Sequence, residues 1–130
     1  MKDTKILRKD HEPPIAVAKW RWRYHHMGIP TKNPIPGEKY YSHLKMHVSG
    51  FETSPFGIEW MRFDPDCVIS ELVKTVPHIA FEVDNIESAL EKLGMNAEIT
   101  SPAKRIRVTM IVHNGAPIEL IEFHERIKNK

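Results

Sequence analysis

Four short segments hold the residues best suited to chemistry. "YHHMGI" (24–29) and "PHIAFEV" (77–83) carry histidine, while "GIEWMRF" (57–63) and "PIELIEF" (117–123) carry glutamate. The order histidine then glutamate occurs twice, which reads as a degenerate internal duplication. Each segment is strand-like, and side chains alternate across a strand. In "PHIAFEV" this sends Ile79, Phe81 and Val83 to one face and His78, Ala80 and Glu82 to the other. Glu59 shares its face with Gly57, Met61 and Phe63. In the first segment Tyr24, His26 and Gly28 fall together, opposite His25, Met27 and Ile29. A carboxylate among apolar neighbours is costly to bury unless a partner takes its charge. Two carboxylates with two imidazoles form a donor set for a divalent cation. With room left for water or substrate, such a set suits an open catalytic site for zinc, nickel, cobalt, iron or manganese better than a closed structural one.

The elements that must position these residues are legible in part. After "PHIAFEV" comes "DNIESALEKLG", where Asp84 or Asn85 can cap a helix and Gly94 can end it. Ile86, Leu90 and Leu93 lie at i, i+4 and i+7 and give that helix one apolar face. Further on, "RIRVTMIV" and "APIELIEF" flank Asn114-Gly115, the strongest short hairpin signal, because a type I′ turn needs positive φ at both central residues. A two-residue turn there sets Met110 opposite Glu119, on the face of Val108 and Val112. "AEIT" (97–100) is a weak strand candidate. The earlier half has "WRYHHMGIP" (22–30), a Pro- and Gly-rich stretch, then strand candidates at "HLKMHVSGF" (43–51) and "FGIEWMRF" (56–63).

The chain has 130 residues, enough for one domain with a core and short for two. Nineteen Lys+Arg against 17 Asp+Glu are scattered and form no basic stripe, which argues against nucleic acid as partner. Cys67 is the single cysteine, so neither an intrachain disulfide nor a Cys-based zinc site is available, and a reducing cytoplasm is expected. No apolar run has the length of a signal peptide core or a membrane span. Residues 1–20 read as a poorly ordered arm before a domain at 21–130, with a first module at about 22–63, a linker at 64–75 and a second module at about 76–124.

The segments resemble those of the vicinal oxygen chelate superfamily, which includes glyoxalase I, methylmalonyl-CoA epimerase, extradiol dioxygenases and bleomycin-resistance proteins. The resemblance covers roughly residues 22 to 124. It implies an α+β fold of paired βαβββ modules forming a cupped mixed sheet, each module giving one ligand from its first strand and one from its last. "HHMGIP" resembles the opening strand with the ligand directly before "MGI", which selects His26 over His25. "VPHIAFEVDNIESAL" resembles the second opening strand and selects His78; the closing strands select Glu59 and Glu119. The first module departs from the pattern, since "TKNPIPGEKYY" leaves little room for its helix.

What the resemblance implies is a metal-dependent lyase or isomerase of glyoxalase or epimerase type. It would act through an enediolate or enolate on a small substrate with vicinal oxygens, with Glu119 as both ligand and base. The alternatives are a non-catalytic small-molecule binding protein and an extradiol-type dioxygenase, the latter disfavoured because Glu59 would occupy a position that oxygen needs. A homodimer is expected. Taken singly, His78 reads as a core histidine bonded to a backbone carbonyl, and Glu59 and Glu119 as solvated carboxylates. His25 is expected to point away from the site, out of phase by one residue, with a neighbouring-ligand role as the alternative. His43 and His47 share a strand face and read as surface residues, with a place at the pocket mouth as the alternative; Arg105 and Arg107 read as a solvated strand edge, with binding of an anionic substrate as the alternative, and Trp20, Trp22 and Trp60 as packing residues.

Overall fold

The structure, a computed structural model, describes residues 7–124. Its strands are β1 (Arg23–Pro30), β2 (Lys39–Tyr41), β3 (Met46–Ser49), β4 (Ile58–Phe63), β5 (His78–Glu82), β6 (Ile99–Ala103), β7 (Ile106–His113) and β8 (Ala116–Phe123). They form one sheet in the order β2-β3-β4-β1-β5-β8-β7-β6. The two opening strands, β1 and β5, lie side by side and antiparallel at its centre. Each is flanked by the closing strand of its own module in parallel, β4 beside β1 and β8 beside β5. This is the paired-module α+β arrangement, a curled mixed sheet with few short helices. The first module lacks its helix: residues 31–38 form turns between β1 and β2.

The second module keeps its helix, α3 (Ile86–Leu93). The Asn85 side chain accepts the Ser88 N–H at 2.8 Å, and Gly94 closes the helix at φ 67°, the left-handed conformation that glycine adopts without strain. Ile86, Ala89 and Leu90 are buried against Phe81, Val83, Ile111 and Leu120, with Ile79 and Ile118 packed alongside. The helix therefore covers the Ile79 face of β5, and His78 and Ala80 emerge on the other. Glu122 ties the helix down from the sheet: its buried carboxylate accepts the Ile86 N–H at 2.9 Å and an N–H of Arg107 at 2.9 Å, and also contacts His124. At the β7–β8 hairpin, Asn114 (φ 50°) and Gly115 (φ 85°) make the two-residue turn, with Met110 opposite Glu119 as its geometry requires.

Several local expectations are corrected. "HLKMHVSGF" is not one strand: residues 42–45 turn, with Lys45 at φ 57°, and β2 comes earlier, in the "KYY" that closes the Pro-rich stretch. His43 and His47 therefore do not share a strand face. His47 sits against Tyr40, Asp64 and Glu38, whereas His43 reaches the cleft described below. Arg105 lies in the β6–β7 turn at φ 64°, and Arg107 pairs with Glu87 and Glu122 instead of lining an open edge. The linker at 64–75 holds a short helix, α2 (Glu71–Thr75), capped by Ser70. Of the N-terminal arm, residues 1–6 lie outside the described residues. Ile15–Ala18 forms one helical turn, α1, and Ala16, Val17 and Trp20 pack against the main cluster. No helix among the described residues is long and apolar enough to cross a membrane.

Candidate metal centre

The register across β4, β1, β5 and β8 builds the site. Gly28 on β1 pairs with Glu59 on one side and His78 on the other. Ala80 on β5 pairs with His26 on one side and Glu119 on the other. The two rows, Glu59–Gly28–His78 and His26–Ala80–Glu119, are related by the approximate two-fold of the duplication. Each module contributes a histidine, and two residues later a very small residue over which the other module's histidine lies. The fit is tighter in one row: a Cβ at Gly28 would stand 2.1 Å from Cε1 of His78, so glycine is required here by close approach of the imidazole.

His26 and His78 are buried, with ring centroids 5.4 Å apart and planes at 84°. Nε2 of His78 is 3.2 Å from Oε1 of Glu119, and Nε2 of His26 is 3.6 Å from that same oxygen. Donor atoms of His26, His78 and Glu119 all lie within 4.8 Å of one another. Glu59 reaches His26 Nε2 at 3.5 Å but is outside this mutually close set of three. One chain thus gathers all four expected residues. His78 does not take the backbone-bonded form: it is 3% exposed, and its Nδ1 has no hydrogen-bond partner. A buried orphan nitrogen costs about 1–3 kcal/mol, which makes a purely structural role for this imidazole expensive.

Electrostatics suit a cation. Burial, more than any neighbour, pushes the His26 pKa down to about 4, so the ring is neutral and has a lone pair to give at ordinary pH. Burial, and then the charge of Glu119, pushes the Glu59 carboxyl up to about 7. Two carboxylates crowd a poorly solvated space with no fixed positive charge among the donors. Ligands at about 2.1 Å from a tetrahedral ion lie roughly 3.4 Å from one another, and the 3.2, 3.5 and 3.6 Å separations here match that spacing. The residues present fit a divalent metal ion.

Above the donors opens a cleft of about 450 Å³, walled by Tyr41, Phe51, Ile106, Val108 and Phe123. His25 also lines it, which corrects the expectation that it faces away. The pairing of β1 with β5 shifts register between Tyr24 and His26, and this bulge turns His25 to the side of its neighbour. Among the site residues His25 is the one that alternation misplaces, and only the doubled "HH" hints at it.

Two solved structures share this architecture. A hypothetical protein from Bacillus halodurans matches with a TM-score of 0.59 at 17% identity, over 83% of this chain and 99% of its own. Methylmalonyl-CoA epimerase from Mycobacterium tuberculosis matches with a TM-score of 0.50 at 18% identity, over 83% of this chain and 92% of its own. The fold is the one these two structures share, and it has the paired-module arrangement that the resemblance in the sequence implies. No protein-family model and no curated protein matches the sequence. At these identities the likeness speaks for the fold, and the chain's own β1–β5 pairing explains why the four donors meet, since it brings the two modules' opening strands together.

Proposed function

We propose that the chain is a metal-dependent lyase or isomerase that moves a proton beside a carbonyl of a small substrate with two adjacent oxygens. The observation that carries this reading is the convergence of His26, His78 and Glu119, with Glu59 beside them, at the floor of an apolar-walled cleft. A divalent ion held there would polarise the substrate carbonyl and lower the cost of removing the neighbouring proton, an effect worth several kcal/mol.

The chain's own residues supply the rest. His26 offers a neutral nitrogen held by burial, and His78 a second buried imidazole. Proton movement falls to the carboxylate pair: by the resemblance, Glu119 matches the position that doubles as ligand and base in glyoxalase I, and Glu59 stands beside it, 3.5 Å from His26 Nε2. The aromatic and aliphatic walls displace water from the reacting atoms. The cleft volume of about 450 Å³ suits a small molecule or the reacting end of a larger one.

The test begins with metal content by mass spectrometry after chelation and reloading, comparing the parent with the His78→Ala/Glu119→Ala double variant. About one ion per chain in the parent and none in the variant is expected. The second stage follows α-proton exchange in deuterium oxide, using thiol adducts of 2-oxoaldehydes and acyl-CoA epimers. Exchange that survives Glu119→Gln and Glu59→Gln alike would remove the assignment. A second reading has an observation of its own: two histidines and one carboxylate are the set that iron(II) oxygenases use. Oxygen uptake by the iron-loaded protein with a catechol would favour it. The proposal includes a homodimer, checked by sedimentation.

A further inference from the structure

His25 would face away from the site in a regular strand, and the reason it does not is local. Tyr24 pairs with Phe81 and His26 with Ala80, so two steps along β1 answer one step along β5 and His25 is the extra residue. Such bulges re-aim a side chain. The His25 ring comes to lie 5.0 Å from that of His26 at 71°, within 5.2 Å of Phe51 and 5.4 Å of Phe123. Its Nδ1 stands 2.8 Å from Nδ1 of His26. At that separation the two nitrogens share one hydrogen, so one ring donates and the other accepts.

We infer that His25 is the positioning residue of the centre: its Nδ1 accepts the N–H from Nδ1 of His26 and holds His26 in the tautomer whose bare Nε2 faces Glu59 and Glu119. The inference rests on the metal-centre reading and goes beyond it, giving a role to a residue outside the four donors. Of the two possible hydrogen placements, only one leaves His26 able to bind an ion. If His25 donated, His26 would carry its hydrogen on Nε2, which lies 3.5 Å from Glu59 and 3.6 Å from Glu119, and that nitrogen could not bind an ion. Metal-binding histidines commonly give their second N–H to an acceptor that fixes tautomer and ring angle. For His26 the acceptor is a second imidazole, steadied by the Phe51 and Phe123 rings. His78 has no such acceptor, its Nδ1 being unpartnered, and is held instead by its contact with Gly28. The two metal-facing imidazoles are therefore positioned by different means, one by a hydrogen bond and one by packing.

Two substitutions separate acceptor from packing. His25→Phe keeps a flat ring between Phe51 and Phe123 and removes the acceptor, whereas His25→Asn puts a carbonyl oxygen where Nδ1 stands. Zinc affinity is measured by competition with a chromophoric chelator, and coordination by the visible spectrum of the cobalt(II) form. His25→Phe is expected to weaken zinc binding by about 10–100-fold and to alter the cobalt spectrum. His25→Asn should stay within a few-fold of the parent. Undiminished zinc binding in His25→Phe overturns the inference while leaving the metal centre standing. An equal loss in both variants, with unchanged melting, overturns the acceptor role. Failure of the parent to bind zinc overturns this inference together with the reading it rests on. A readout that needs no variant is the long-range ¹H–¹⁵N spectrum of the zinc-loaded protein. His26 protonated at Nδ1 and His25 at Nε2 are expected, and a hydrogen on Nδ1 of His25 would contradict the assignment.

Discussion

Replacing Gly28 by alanine adds one methyl group at the most crowded point of the site. The new Cβ would meet the His78 imidazole at 2.1 Å from Cε1, 2.6 Å from Nδ1 and 2.8 Å from Nε2. Carbon atoms sit comfortably at about 3.5 Å or more, so the ring must retreat by roughly 1.4 Å. His78 is 3% exposed and has little room to do so. Overpacking of this kind costs about 1–3 kcal/mol, and for a chain of this size each kcal/mol lowers Tm by about 3–5 °C. The displacement matters more for binding than for folding, because metal–ligand distances tolerate only ~0.2 Å and Nε2 of His78 starts 3.2 Å from Glu119. Zinc affinity should therefore fall by tenfold or more. The related position supplies the control. Ala80 already carries a methyl group opposite His26, and Ala80→Gly should lose only ~0.5–1 kcal/mol for added chain freedom while keeping zinc binding. Scanning calorimetry and chelator competition on both variants decide the matter. A Gly28→Ala protein that melts with the parent and binds zinc equally well would show that the imidazole does not lie over Gly28.

Glu59→Gln tests the electrostatics of chelator-treated protein. A carboxyl whose folded pKa is raised from 4.5 to about 7 makes folding progressively less favourable as pH climbs through that window. The variant should gain roughly 3 kcal/mol over the parent above pH 7 and nothing at pH 4; a gain independent of pH, read by urea denaturation, would refute the shift. Glu119→Gln should lower zinc affinity and abolish α-proton exchange, measured by NMR in deuterium oxide. Asn85→Ala removes the cap that accepts the Ser88 N–H and should cost about 1 kcal/mol with zinc binding unchanged, since α3 covers the face of β5 opposite the donors. Glu122→Ala strips the Ile86 N–H and Arg107 of a buried acceptor and should cost about 3 kcal/mol in urea denaturation.

Short-range signals carried much of this fold. Asn85, Gly94 and the Ile86–Leu90–Leu93 spacing define α3, and Asn114-Gly115 defines the hairpin register that sets Met110 opposite Glu119, because capping and positive φ act within a few residues. Alternation along "PHIAFEV" was enough to separate His78 from the face that packs on the helix. Strand boundaries in the first module were less legible. Where α3 pins β5, β2 and β3 are short and joined through Lys45 at positive φ, a conformation no residue type announces there.

The sequence by itself determined which residues could serve as donors, how they are duplicated and which local elements hold them, since residue type, period and turn chemistry are properties of neighbouring positions. Only the tertiary structure decided that His26, His78 and Glu119 meet within one chain while Glu59 stands slightly apart. It also decided that Gly28 must be bare and that His25 turns inward. Each of these depends on what lies across the sheet: the β1–β5 register adds one residue at His25, and a one-residue shift in a strand reverses the side on which a side chain stands.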